Sequence, residues 1–273
     1  MTIRHVLTLA AASTLFVSLP DAQAQQQVPN EGWQVSVGAA AAYSPVYRGD
    51  DENQLVPLPF IHATYGDRLT LSVPQGIQYA VVKTPNLEVG PVLGLDFGRE
   101  EDGEGPFGGD GTDDLIGLGD IDPTVELGGY INYRVGPVLA EVQARQGLGG
   151  HDGFIADFSL NAMVPAKMGD KRGRFLFGPR LRYADETYLN SFYGITAAQS
   201  IGSGLSVYEA DAGIESYGLG ASLMLPLNQR WALSVTGDVS EIAGDAADSP
   251  LIVKRGDTTQ TSLIAALTYR FGG

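Results

Sequence analysis

The sequence predicts an all-β protein, a transmembrane, antiparallel, up-and-down β-barrel of twelve strands, with ten as the alternative. Three observations lead there. Apolar and polar residues alternate with period two over many successive stretches. Those stretches reach or exceed the about 9 to 11 residues that carry a tilted strand across a bilayer, where soluble strands run nearer 5 or 6. The connectors alternate between short turns and long loops, the habit of outer-membrane barrels. No segment after the N-terminal region has about 18 consecutive apolar residues, so a transmembrane helix is not expected there. In hydrocarbon every backbone N–H and C=O needs a partner within the protein, which leaves closure of the sheet as the spanning solution.

Residues 1–24 read as a secretory signal peptide. Arg4 and His5 form a basic start, Val6 to Leu19 an apolar or small-residue core, and Ala22-Gln23-Ala24 a small-x-small cleavage site. The mature chain is expected to begin at Gln25, with a periplasmic lead over 25–32 and the barrel over 33–273. Twelve strands are expected at 33–43, 55–65, 68–75, 76–83, 86–98, 121–134, 137–147, 153–166, 174–186, 211–226, 230–242 and 258–271. In the segment from Arg230 to Ser240, Trp231, Leu233, Val235 and Val239 share one face, with Arg230, Ser234, Thr236 and Asp238 on the other. From Arg174, Phe175, Phe177, Pro179, Leu181 and Tyr183 oppose Arg174, Arg180 and Arg182. The third and fourth strands carry the weakest pattern, because Pro74 and Gly76 interrupt them. Short turns are read at Gly66-Asp67, Thr84 to Asn86, Val135-Gly136, Met168 to Gly173 and Asn228-Gln229. Longer connectors are read at Ser44 to Gln54, Arg99 to Asp120, Thr187 to Ala210 and Gly244 to Asp257. Trp33, Tyr43, Tyr65, Tyr133, Trp231, Tyr269 and Phe271 sit near strand ends, as interfacial girdles require.

Composition narrows the function. The formal net charge of -15 argues against nucleic acid, whose phosphates demand clustered Lys and Arg. With no cysteine the chain has no disulfide, thiolate metal site or cysteine nucleophile. Hydrophobic residues at 44% are too many for an acidic disordered chain. No cofactor fingerprint is read. After the signal region the only histidines are His62 and His151, and neither G-x-S-x-G nor H-E-x-x-H occurs, so no enzyme and no catalytic or metal-binding residue is expected.

Several short motifs, in order, carry a resemblance. They are Ser44-Pro45-Val46-Tyr47-Arg48-Gly49, Val56-Pro57-Leu58-Pro59, Phe192-Tyr193-Gly194-Ile195-Thr196, Ser203-Gly204-Leu205 with Tyr208, and Asp245-Ala246-Ala247-Asp248-Ser249-Pro250. The chain then closes with Tyr269-Arg270-Phe271. Together they resemble the MipA/OmpV family of outer-membrane proteins from about Trp33 to Phe271. The resemblance implies an outer-membrane location and a non-enzymatic scaffold that links a murein lytic transglycosylase to a bifunctional murein synthase in cell-wall growth. It also makes Tyr47, Gly49, Tyr193, Gly194, Ser203, Gly204, Tyr208, Asp245, Asp248, Ser249 and Pro250 candidate partner residues. Tyr269 and Phe271 are the candidate terminal signal read by the insertion machinery. Gly272 and Gly273 depart from the aromatic ending usual for such barrels.

Alternation places Glu126, Glu141, Arg145, Asp157, Arg180, Arg182, Arg230 and Asp238 toward the lumen, as cross-strand ion pairs filling it or as the lining of a channel. The acidic loop from Arg99 to Pro123 lacks the ligand spacing of an EF-hand and is expected to be a solvated loop rather than a cation site. Lipid and lipopolysaccharide are the expected surroundings. A diffusion channel for small solutes and a surface adhesin or receptor acting through the long loops are the alternatives to the scaffold.

Overall fold

A computed structural model describes residues 32–73, 76–103, 108–109 and 111–271. The expected signal peptide, most of the lead, Glu104, Asp110 and the terminal Gly272-Gly273 lie outside them. The wall is built from β1 (Trp33–Pro45), β2 (Asn53–Tyr65), β3 (Leu69–Val73), β4 (Gly76–Tyr79), β5 (Val82–Lys83), β6 (Leu87–Asp96), β7 (Thr124–Val135), β8 (Val138–Leu148), β9 (Phe154–Met168), β10 (Lys171–Ala184), β11 (Gly213–Pro226), β12 (Trp231–Ile242) and β13 (Thr259–Phe271). Every pairing is antiparallel. Apart from β4 and β5, neighbours in sequence pair with each other, β1 pairs with β13, and β4 reaches β6, so the sheet closes. Because β4 and β5 both pair with β6, they are two halves of one strand, and the closed barrel has twelve.

The break in that strand has a local cause. Tyr79 packs its carbonyl against Gly90, where a Cβ would stand 1.8 Å from it. The Arg68 guanidinium binds the carbonyls of Ala80 and Val81 at 3.0 Å. Those carbonyls therefore leave the ladder, and the strand bulges and resumes at Val82.

The wall is apolar outside and polar inside. Along β7, Val125, Leu127 and Ile131 face outward and are exposed, while Thr124, Glu126 and Tyr130 alternate inward and are buried. Leu55 and Leu219 are 68% and 67% exposed, whereas Glu126 is 1% exposed. A soluble barrel would place these sets the other way round. Aromatic pairs cluster at the end where β1 begins and β13 finishes: Trp33 with Tyr65, Trp231 with Tyr269, and Tyr269 with Phe271.

The two ends differ. Five tight connections, over 66–68, 84–86, 136–137, 169–170 and 227–230, join strands at the end where β1 begins and β13 finishes. The opposite end carries the long connectors, and these fold. They contain α1 (Glu186–Phe192), α2 (Ala197–Ser203), α3 (Gly244–Asp248) and α4 (Pro250–Arg255), none of which the alternation signal reveals. Following the habit of such barrels, the tight turns face the periplasm and the folded loops face outward.

Candidate functional site

The long connectors form a cap with its own hydrophobic core. Local capping explains why such short helices hold. Asp185 accepts the Tyr188 N–H at the start of α1. Thr196 and Gln199 form a reciprocal capping box on α2, and Gly204 ends it at φ 75°. Ser249 accepts the Leu251 N–H, and Pro250 opens α4. These caps aim Tyr188, Leu189, Phe192, Leu251 and Ile252 at one another, and Leu115 and Leu118 join them from the acidic loop.

Beneath the cap a chain of buried charges crosses the lumen. Arg145 links Glu126 Oε2 at 2.5 Å with Asp157 Oδ2 at 2.7 Å. Arg182 Nε meets Asp157 Oδ1 at 2.7 Å and Glu215 Oε2 at 3.6 Å. Arg48, from the first long connector, dips between Glu215 at 3.5 Å and Asp96 at 3.7 Å. Its guanidinium lies 5.5 Å from the Phe192 ring centre and 5.8 Å from that of Tyr188. The Tyr193 hydroxyl donates to Glu215 at 2.7 Å, and burial keeps its phenol pKa well above the usual value. Charges buried in this way persist only when paired, and Arg offers the planar fork that bridges two carboxylates.

Asp96, Glu126 and His151 come together within this network, but His151 fits a neutral N–H donor toward Glu126 better than a metal ligand. Its Nδ1 accepts the Gly153 N–H at 3.1 Å, which assigns the proton to Nε2. That nitrogen faces Glu126 Oε1 at 3.5 Å, and a ligating nitrogen needs its lone pair free.

The lumen residues fall into two groups. Glu126, Arg145, Asp157 and Arg182 form the network. Glu141 binds Ser159 and Asn161 deeper in the barrel, Asp238 accepts from Ser262, and Arg180 lies across Gly220. Arg230 is a correction: it is exposed in the β11–β12 turn, outside the strand, and donates to Tyr269 Oη at 2.9 Å. Asn228 closes that turn by accepting the N–H groups of Arg230 and Trp231, while the Arg230 carbonyl still accepts the Arg270 N–H at 2.8 Å. Arg48, Asp96, His151 and Glu215 complete the site and were not expected there. Arg48 arrives from a loop, and Glu215 points inward only because the β10–β11 register shifts beside Tyr183.

The family motifs meet in the cap. Gly49 adopts φ 92°, and a Cβ there would stand 2.0 Å from Ile252. Ser249 Oγ donates to the Tyr193 carbonyl at 2.6 Å, and Tyr208 donates to that of Asp245 at 2.7 Å. Tyr47 donates to the Arg255 carbonyl, and Arg255 in turn reaches that of Ser203. Gly194 sits against Asn190, and Pro250 begins α4. Gly204 and Asp248 are the exposed members of the group. Tyr269 and Phe271 lie in β13 at the periplasmic aromatic cluster.

The acidic loop differs from the solvated loop expected. Arg99 and Ile121 bridge its base, Leu115 and Leu118 are buried, and Arg99 donates to the Phe192 carbonyl at 3.0 Å. Apolar side chains three apart, Leu115 and Leu118, in a run of carboxylates carried the signal for this anchoring.

Charge is divided between the ends. The loops of the capped end hold most of the 32 Asp and Glu. Near the tight turns stand Arg68, Lys83, Arg134, Lys167, Lys171, Arg172, Arg230 and Arg270, against Asp67, Glu88 and Asp170. Lys167 and Arg172 are direct cross-strand partners, like charges held opposite one another.

The family profile described as "MltA-interacting protein MipA" matches residues 37–271, nearly the whole described wall and cap. The chain belongs to the MipA family. No curated protein matches its sequence. Among solved structures, the MipA-family chain is similar to the KdgM porin at 8% identity and a TM-score of 0.40, covering 87% of this chain and 99% of that one. It is similar to an outer membrane channel from Pseudomonas putida F1 at 11% identity and 0.44, covering 91% and 99%. The outer membrane protein OprG from Pseudomonas aeruginosa follows at 11% identity and 0.28, covering 89% and 98%.

Proposed function

We propose that this outer-membrane barrel is a non-enzymatic anchor, working through its periplasmic rim, for a murein lytic transglycosylase and a bifunctional murein synthase. The carrying observation is the basic rim of an otherwise acidic protein, with Lys167 opposite Arg172. Like charges placed across a ladder destabilise it unless an anionic partner compensates them. The family description, an MltA-interacting protein, supports the hydrolase as partner, and the folded cap at the other end supports the rim as its docking surface.

The test is surface binding of a purified transglycosylase of this type to the folded barrel. Binding should weaken with salt and fall about tenfold or more when Arg134, Lys167 and Arg172 are changed to Glu. Undiminished binding by that variant, or none by the parent, would sink the reading.

A diffusion channel is the second reading, favoured by the polar lumen below the network, where Asn161, Arg180, Ser222, Thr236 and Asp238 line the wall. Planar-bilayer recordings decide it. The anchor reading expects no conductance steps from the intact protein, and regular steps would favour the channel.

A further inference from the structure

We propose that Asp50, Asp51 and Asp114 form a calcium-class divalent-cation site that clamps the β1–β2 loop to the acidic β6–β7 loop. The site is independent of the periplasmic partner.

Their carboxylate oxygens lie within 4.8 Å of one another although they come from loops far apart in sequence. Two oxygens on opposite sides of one calcium ion stand about 4.8 Å apart, twice its bond length. Asp50 is 2% exposed. One of its oxygens accepts the Glu52 N–H at 2.9 Å, and the other, Oδ2, is buried without a donor. A buried carboxylate oxygen with no donor, beside two more carboxylates, concentrates negative charge that a bound cation would compensate.

Arg255, whose charge acts on Asp114, spends its hydrogen bonds on carbonyls and not on the three carboxylates. Arg255 directs Nη1 to the Asp114 carbonyl and Nη2 to the Ser203 carbonyl, both at 2.5 Å. Burial pushes the Asp50 carboxyl up to about 7 against the pull of the Glu52 N–H, and the charges of Asp114, Asp51 and Glu52 push the same way. The donor set is all oxygen, with neither nitrogen nor sulfur, which selects a hard ion over zinc or copper. Asp51 is exposed, which leaves a solvent path for entry and for the waters that complete the shell.

The experiment is calorimetric titration of the metal-free, full-length barrel in detergent with CaCl2, with heat-modifiable gel mobility confirming the fold of each variant. The parent is expected to bind with a dissociation constant on the order of 10⁻⁴–10⁻³ M, the range of extracellular calcium modules. Asp50→Asn and Asp114→Asn should each weaken binding tenfold or more, and Asp248→Asn, on the exposed cap, should leave it unchanged. Should Asp50→Asn not fold, Asp51→Asn on the exposed side takes its place. No saturable heat from the parent, or equal affinity in the folded Asp50, Asp51 and Asp114 variants, overturns the proposal.

Discussion

At the scale of single residues, Arg48 shows how a loop side chain becomes part of the barrel interior. It stands between Glu215 and Asp96 and under two aromatic rings, so removing it takes a shared cation from two buried carboxylates. Breaking a buried pair by deleting one partner costs about 3–5 kcal/mol, more than most surface changes. Arg48→Ala should therefore lower the temperature at which the folded band converts to the unfolded one on gels, while Arg48→Lys should recover only part of the loss. An unchanged conversion temperature in Arg48→Ala would show that the network is unimportant to stability. Gly49 beside it holds φ 92° with Ile252 against its open side, so Gly49→Ala should destabilise the cap by strain and clash together. The expected readout is faster proteolytic cleavage of the outer loops with the wall left intact. The sequence exposed Arg145, Asp157 and Arg182 as lumen residues because they obey the strand period. It hid Arg48 and His151, which sit in connectors where no period applies, and Glu215, which a bulge turns inward.

At the scale of elements, the strands and the helices were legible to different degrees, for one physical reason. A strand that meets lipid on one side and a polar lumen on the other must alternate along its whole length, and that pattern is visible in one dimension. The cap helices are each only about two turns long and are held by tertiary packing, so no helical period develops over α1 or α4. Their caps were the available signal: Thr196 with Gln199, and Ser249 ahead of Pro250. Ser249 does two jobs, accepting the Leu251 N–H and donating to the Tyr193 carbonyl, so it joins the last long connector to the one before it. Ser249→Ala should cost about 0.5–2 kcal/mol from the lost cap, plus about 1 kcal/mol from the bond to Tyr193. Hydrogen exchange over 244–256 and 186–193 should accelerate together in this variant. Acceleration confined to 244–256 would mean that the two connectors are not coupled.

At the scale of the whole molecule, the arrangement is a membrane wall with an acidic, folded outer end and a basic inner rim. The inside-out distribution of apolar residues predicts that the protein partitions into detergent and keeps its fold there, migrating differently before and after boiling. Recovery of the mature chain from periplasm without detergent would contradict it. The charge division was present in the sequence as residue identities but not as a pattern, because Arg68, Arg134, Lys167 and Arg270 fall at unrelated positions until the turns bring them to one end. The acidic loop was legible as charge, and its burial through Leu115 and Leu118 was not.

The strand broken into β4 and β5 has a consequence for how the wall yields. Along its junction with β6 only Ile77, Gln78, Val82 and Lys83 keep register partners, whereas the junction of the first and last strands, β1 with β13, holds nine. A cylinder under strain parts where its stitching is sparsest. The β3–β4 junction is as short, with four pairs, so this wall should open on one side of β4 or the other instead of where β1 meets β13. Amide exchange at Ile77–Lys83 ahead of that at Val35–Tyr43 would reveal such a zipper, and the reverse order would place the weak line at the termini.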